Sequence, residues 1–266
     1  MFLKLMKHEL KATAKIQLIL AGSLLGVSLL EAALLYFLWD LETSSMAVDI
    51  LGVLSMPVVL LSVVAYGVAA SFLAVYRFYK HKFTDEGYLT FTLPVSTDQL
   101  IWSSYLCLLL WGLVIGAVSL GSLGLVLNAV LHTVSEDSMD LFTLLGGTWA
   151  EIWNVQYMDA ALRSYVIWSV VGSIVSLLAG YLIVMMAVCL GAAAAKKHKL
   201  LAAFGIGYGI SIALTTLQTS VMLSLDAAVG LPLWAAPVFQ TVLYLALGVG
   251  SYLTVRYFMG KRLNLN

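Results

Sequence analysis

The chain has 266 residues, of which 62% are hydrophobic and 11% charged, with a formal net charge of zero. So few charges, against about a quarter in soluble domains, exclude a single water-soluble core and call for lipid as solvent. Zero net charge excludes a global basic field for nucleic acid.

The predicted fold class is all-α: a polytopic membrane protein in one domain, 1–266, with six apolar spans. The first 15 residues predict an amphipathic interfacial helix on the inner surface. Leu3, Met6, Leu10 and Ala14 share one face, and Lys4, Lys7, His8, Lys11 and Lys15 share the other. A basic face opposite an apolar stripe suits anionic headgroups. His8 and Glu9 alone make no metal site. The basic start followed by an apolar run is too long for a signal peptide and ends in no A-x-A site, so a membrane segment is expected.

The spans are expected at 16–39, 51–76, 100–131, 163–195, 200–224 and 233–255. Each covers the hydrocarbon thickness of about 30 Å at about 1.5 Å per residue. Between them lie a short acidic loop (40–50), a polar island (77–99), a longer segment (132–162), a basic turn after the fourth span and a brief loop (225–232). In the longer segment, Leu145, Trp149, Ile152 and Trp153 at helical spacing point to the headgroup region. Pro232 and Pro237 bracket the last span and are expected to kink its start.

Lys and Arg set the orientation. Lys4, Lys7, Lys11, Lys15, Arg77, Lys80, Lys82, Lys196, Lys197, Lys199, Arg256, Lys261 and Arg262 all fall on one side, leaving Arg163 on the other. The positive-inside rule then makes both termini and the polar island cytoplasmic. Asp40, Glu42, Asp49, Glu136, Asp137, Asp140, Glu151, Asp159 and Asp226 fall in the outer segments.

Within the spans, Gly112 and Gly116 form a GxxxG pair. Gly205, Gly207, Gly209, Gly248 and Gly250 add further points where helices can approach. Asn128, Gln218 and Gln240 read as interhelical hydrogen-bonding groups. Cys107 and Cys189, in different spans, read as small buried apolar residues. Glu31 is the one acid well inside a span. About 24 Å beyond Lys15 along a helix, it reads as a snorkelling or outer-cavity acid ahead of a proton carrier.

Catalytic and metal motifs are missing. The stretch 191–198 lacks the second glycine and the hydroxyl of a Walker A loop, and there is no HExxH, no GxSxG and no metal-spaced Cys/His cluster. No catalytic residue, no metal and no cofactor on this chain is therefore expected.

The island reads RFYKHKFTDEGYLTFTLPVSTDQ. Tyr76, Arg77, Phe78 and Tyr79 form an aromatic and basic collar. Thr84 is a plausible N-cap with Asp85 and Glu86 in the favoured first turn. A short helix or turn then carries Tyr88, Leu89 and Phe91 to Pro94. Ser96 and Gln99 form a capping-box signature for the third span. Aromatics in a polar loop imply a cover of lipid or a partner.

The stretch KHKFTDEGYLTFTLPVSTDQLIWS resembles the cytoplasmic segment between the second and third spans of bacterial ABC type-2 (type V exporter) transmembrane permease subunits. The remaining resemblance is architectural: six spans, both ends inside and an amphipathic start. The resemblance implies a coupling helix docking on a separate ATPase. Phe83, Thr84, Asp85, Glu86, Gly87, Tyr88 and Leu89 would then form the docking surface. It also implies ATP and magnesium on that ATPase partner, a second permease chain (identical or homologous), lipid contacts and a bacterial plasma-membrane location. The family often carries a re-entrant outer element between its fifth and sixth spans; this chain has its larger outer segment at 132–162. The expected cargo is amphipathic or hydrophobic: a peptide, an antimicrobial or a lipid. Its binding residues are unknown. An ATP-independent transporter, a sensor or scaffold, or a small lipid enzyme are the alternatives.

Overall fold

The computed structural model describes residues 2–40, 46–84, 96–134, 143, 146–147, 150, 159–195 and 197–261. Among them are six long helices: α1 (Phe2–Asp40), α2 (Met46–Phe83), α3 (Thr97–Val134), α4 (Ala160–Ala194), α5 (Lys199–Val229) and α6 (Ala235–Lys261). No strand occurs among the described residues. All six helices are long and apolar enough to cross a membrane. Leu145, Trp149, Ile152 and Trp153 lie outside the described residues.

The helices outrun the apolar runs that announce them. α1 is 39 residues long, and the apolar stretch within it begins at Leu3. Residues 2–15 thus run on into the first span as one continuous helix. No Gly or Pro stands before Gly22 to break the helix. Lys, Glu, Ala and Gln on either side of Lys15 are strong helix formers. α2 likewise continues through its basic end to Phe83, and it carries Pro57 in its interior. That proline donates no hydrogen bond, so the helix loses one internal bond there.

The helix ends have local causes. Ser96 and Gln99 form the expected capping box: the Gln99 amide donates to Ser96 Oγ (3.3 Å) and the Ser96 amide to Gln99 Oε1 (3.4 Å). Asp159 caps α4 by accepting from the Ala160 amide at 2.6 Å. α5 ends at Gly230, whose φ of 63° is left-handed and whose amide donates to the Asp226 carbonyl at 2.8 Å. Pro232 precedes α6, whose Ala235 amide donates to the Pro232 carbonyl at 2.9 Å. Pro237 falls in the first turn, where amides lack intrahelical partners anyway. It fits the helix start and costs no internal bond.

The chain divides into two compact units, 1–9 with 75–109 and 153–266, and 10–74 with 110–152. In the second unit, α1 buries Thr13, Gln17, Ala21, Leu24, Ser28, Ala32 and Leu35, a stripe of steps of four and three along one helix face. One apolar cluster joins Ala21 and Leu24 to Tyr66 and Ala70, with Ile115 and Val118 against it. Another joins Ala32 and Leu35 to Val59, Val126 and Ala129. Gln17 Nε2 donates to the Ala70 carbonyl at 2.9 Å, a side chain tying α1 to the backbone of α2. Small residues on the stripe let the helices approach closely.

In the first unit, α4 packs most extensively on α6 and next on α5, whereas α5 and α6 barely touch. The contacts rest on glycine. A Cβ at Gly191 would run into the backbone of Ala203, and one at Gly248 would meet the Ala179 Cβ at 3.2 Å. One at Gly172 would meet Thr241 Oγ1 at 3.0 Å. Of the glycines expected at close approaches, Gly116, Gly205, Gly209 and Gly250 face open space. Gln218 and Gln240 do bond between helices, with Gln240 Nε2 donating to Ser176 Oγ at 3.1 Å. Cys107 and Cys189 are buried free thiols.

Outward-facing apolar side chains run along every helix, among them Ile19, Leu61, Leu120, Ile174, Leu201 and Val249. With this many exposed on every helix, the molecule is built for an apolar surrounding, which makes it a multi-pass membrane protein.

Candidate functional site

Asp85, Glu86, Gly87, Tyr88 and Leu89 lie outside the described residues, so the site is built from the two flanks of the island. On the near flank, Phe83 is the last residue of α2 and is buried in the chain's own packing. Its ring stacks on Tyr79 with centroids 6.3 Å apart and meets Phe78 edge-on at 6.0 Å. Tyr79 and Phe83, four residues apart, share one side of the helix. The Thr84 hydroxyl donates back to the Lys80 carbonyl and closes the last turn of α2.

Lys82 is fully buried. Its ammonium donates to Glu9 Oε1 at 3.1 Å, and the Ser104 hydroxyl donates to the same oxygen at 3.1 Å. This cluster joins the first turns of α1, the last turn of α2 and the second turn of α3. Charges removed from water gain strength only when paired and hydrogen-bonded, as both are here.

On the far flank, Asp98 stands in the first turn of α3, where the helix dipole favours a carboxylate. Asp98 Oδ1 accepts from Arg256 Nε at 3.1 Å and from the Tyr252 hydroxyl at 3.0 Å. Both charged partners of this pair are substantially exposed, at 56% and 40%. Water screens it, and it is worth about 1 kcal/mol or less. Trp102 lies against Tyr252 with centroids 6.0 Å apart and edge-on to Tyr105 at 5.4 Å. The Tyr105 hydroxyl then donates to the Leu178 carbonyl of α4 at 3.1 Å.

The island thus leaves a helix clamped to α1 and returns through a helix clamped to α1, α4 and α6. The arrangement holds two carboxylates, each engaged by a cation and a hydroxyl. It offers anchoring, with no free base or nucleophile among these residues.

Sequence reasoning used Lys82 only as an orienting charge and set Glu9 aside. One signal was present: Glu9 is the only acid among the basic residues of 1–15. A lone acid in a basic helix marks a specific partner.

Compared with family models, curated proteins and solved structures, the chain matches none.

Proposed function

We propose that this chain is the transmembrane permease subunit of a bacterial ABC type-2 exporter. On this reading it lies in the plasma membrane with both termini and the 77–99 island cytoplasmic. Two permease chains enclose a path, and separate ATPase subunits, carrying ATP and magnesium, dock on residues 83–89. The cargo class is amphipathic or hydrophobic. Closure of the ATPases displaces the island, and the displacement is passed into the membrane helices.

The observation that carries the reading is the clamping of both island flanks. Lys82 binds Glu9 and Ser104, and Asp98 binds Arg256 and Tyr252. A loop whose two roots are fixed to other helices acts as a lever; one on slack roots would absorb the motion. The burial of Phe83 assigns it to the root of the lever, so Tyr88 and Leu89 become the apolar anchors for the partner.

The test is co-purification with the ATPase, together with transport in vesicles. Tyr88→Ala and a charge reversal of Asp85 and Glu86 are expected to lower ATPase capture at least about tenfold. Unchanged capture and transport would remove the docking assignment. Transport driven by an ion gradient without any ATPase, and lost in Glu31→Gln, would favour an ATP-independent transporter; the solvent-shielded Oε2 of Glu31 is the feature that keeps this second reading in view.

A further inference from the structure

The second unit contains a polar layer between its two apolar clusters. Ser28 stands four residues beyond Leu24 in one cluster and four before Ala32 in the other. Ser122 stands four beyond Val118 and four before Val126. By this register the two serines share a depth, and both are fully buried. On α2, Val63 packs against both clusters and so borders the same layer. Glu31 lies one turn beyond Ser28 on α1, and helical side chains lean toward the N-terminal turn. That lean turns its carboxylate toward the depth of the serine layer.

The hydrogen bonds of this layer do not close. The Ser28 hydroxyl donates to the Leu24 carbonyl at 2.9 Å, leaving its lone pairs to accept. Ser122 Oγ and Glu31 Oε2 are shielded from solvent and have no hydrogen-bond partner. A buried hydroxyl in a helix ordinarily bonds its own backbone, as Ser62 does with the Val59 carbonyl at 2.8 Å. Nor is there a counter-ion in reach among the described residues of this unit. Among the described residues of this unit the cationic side chains are Lys11 and Lys15. Lys15 is about 24 Å down the helix from Glu31.

We propose that Glu31, Ser122 and Ser28 form a binding site for the ammonium group of an amphipathic amine. An ammonium carries up to three N–H donors and one positive charge. It satisfies the carboxylate oxygen and the serine lone pairs together. Val27 and Leu34, exposed on the same side of α1 as Glu31, offer an apolar surface to an alkyl chain. A hard metal ion fits less well, because it needs about six oxygen ligands and the three side chains supply fewer. The site stands apart from the ATPase reading, since binding to it requires no partner.

The test is a fluorescence titration of the full chain in phosphatidylcholine nanodiscs. The probe is a dansyl-labelled long-chain primary amine, compared with its N-acetylated neutral form. The amine is expected to bind saturably and the amide about tenfold more weakly. Glu31→Gln should weaken amine binding about tenfold and abolish the preference over the amide, and Ser122→Ala should weaken it a few-fold. Equal binding of amine and amide by the unaltered chain overturns the proposal, whether or not either variant folds. So does amine binding by Glu31→Gln at wild-type strength. Displacement of the amine by sodium, at ionic strength held constant with choline, overturns the ammonium assignment in favour of a metal ion.

Discussion

Two ion pairs flank the island, and burial decides which of them matters for stability. Lys82 is wholly shielded, while Arg256 is more than half exposed. Lys82→Met removes the cation from the Glu9 carboxylate and is expected to cost about 3–5 kcal/mol. Removing both charges, in Glu9→Gln with Lys82→Met, should recover most of that loss, because no charge is left unpaired. Arg256→Ala should cost about 1 kcal/mol or less. Thermal unfolding of the purified chain in detergent gives the ranking. If Lys82→Met were as mild as Arg256→Ala, the buried cluster would not be a clamp.

At the level of helices, glycine sorts the contacts. Gly191→Ala drives a methyl group into the backbone of Ala203, which no side-chain rotation relieves. It is expected to destabilise by about 1–3 kcal/mol. Gly205→Ala meets open space and should be neutral or slightly stabilising, since alanine is the better helix former. Unfolding midpoints of the two variants decide this. The contrast also marks how far the sequence could be read. Helix number followed from apolar runs, and the capping box at Ser96 was legible because its two residues lie three apart. Which glycine meets a neighbour depends on helix rotation, and an apolar run all round a helix does not encode rotation. Hence Gly191 and Gly172 went unnoticed while Gly116 and Gly205 looked equivalent. The Lys82–Glu9–Ser104 cluster was hidden for the same reason: its members are 73 and 95 residues apart in sequence. α1 runs unbroken past Lys15 although the hydropathy changes there. A helix ends where capping or a breaker ends it, and charged helix formers do neither.

For the whole molecule, an even number of crossings puts the two ends on one side of the membrane. Each successive connection then alternates. Ser96 and Gly230 belong to connections of opposite kind: Ser96 precedes α3, and Gly230 follows α5. If all six helices cross, a cysteine at Ser96 and one at Gly230 must react from opposite faces. On the proposed orientation, with Lys and Arg inside, Ser96 lies on the cytoplasmic face. The native thiols interfere little, because Cys107 and Cys189 are both buried. Labelling of Ser96→Cys in intact cells and in inverted vesicles, with a membrane-impermeant maleimide, should therefore give signal only in the vesicles. Gly230→Cys should give the reverse, although the left-handed backbone at that position makes Leu231→Cys the safer second variant. Labelling of both sites from the same face would mean that an odd number of helices among α3, α4 and α5 fails to cross. Reaction from opposite faces but with the sides exchanged would keep the six crossings. It would place the island outside the cell, out of reach of ATP, and so end the exporter reading while leaving the fold intact.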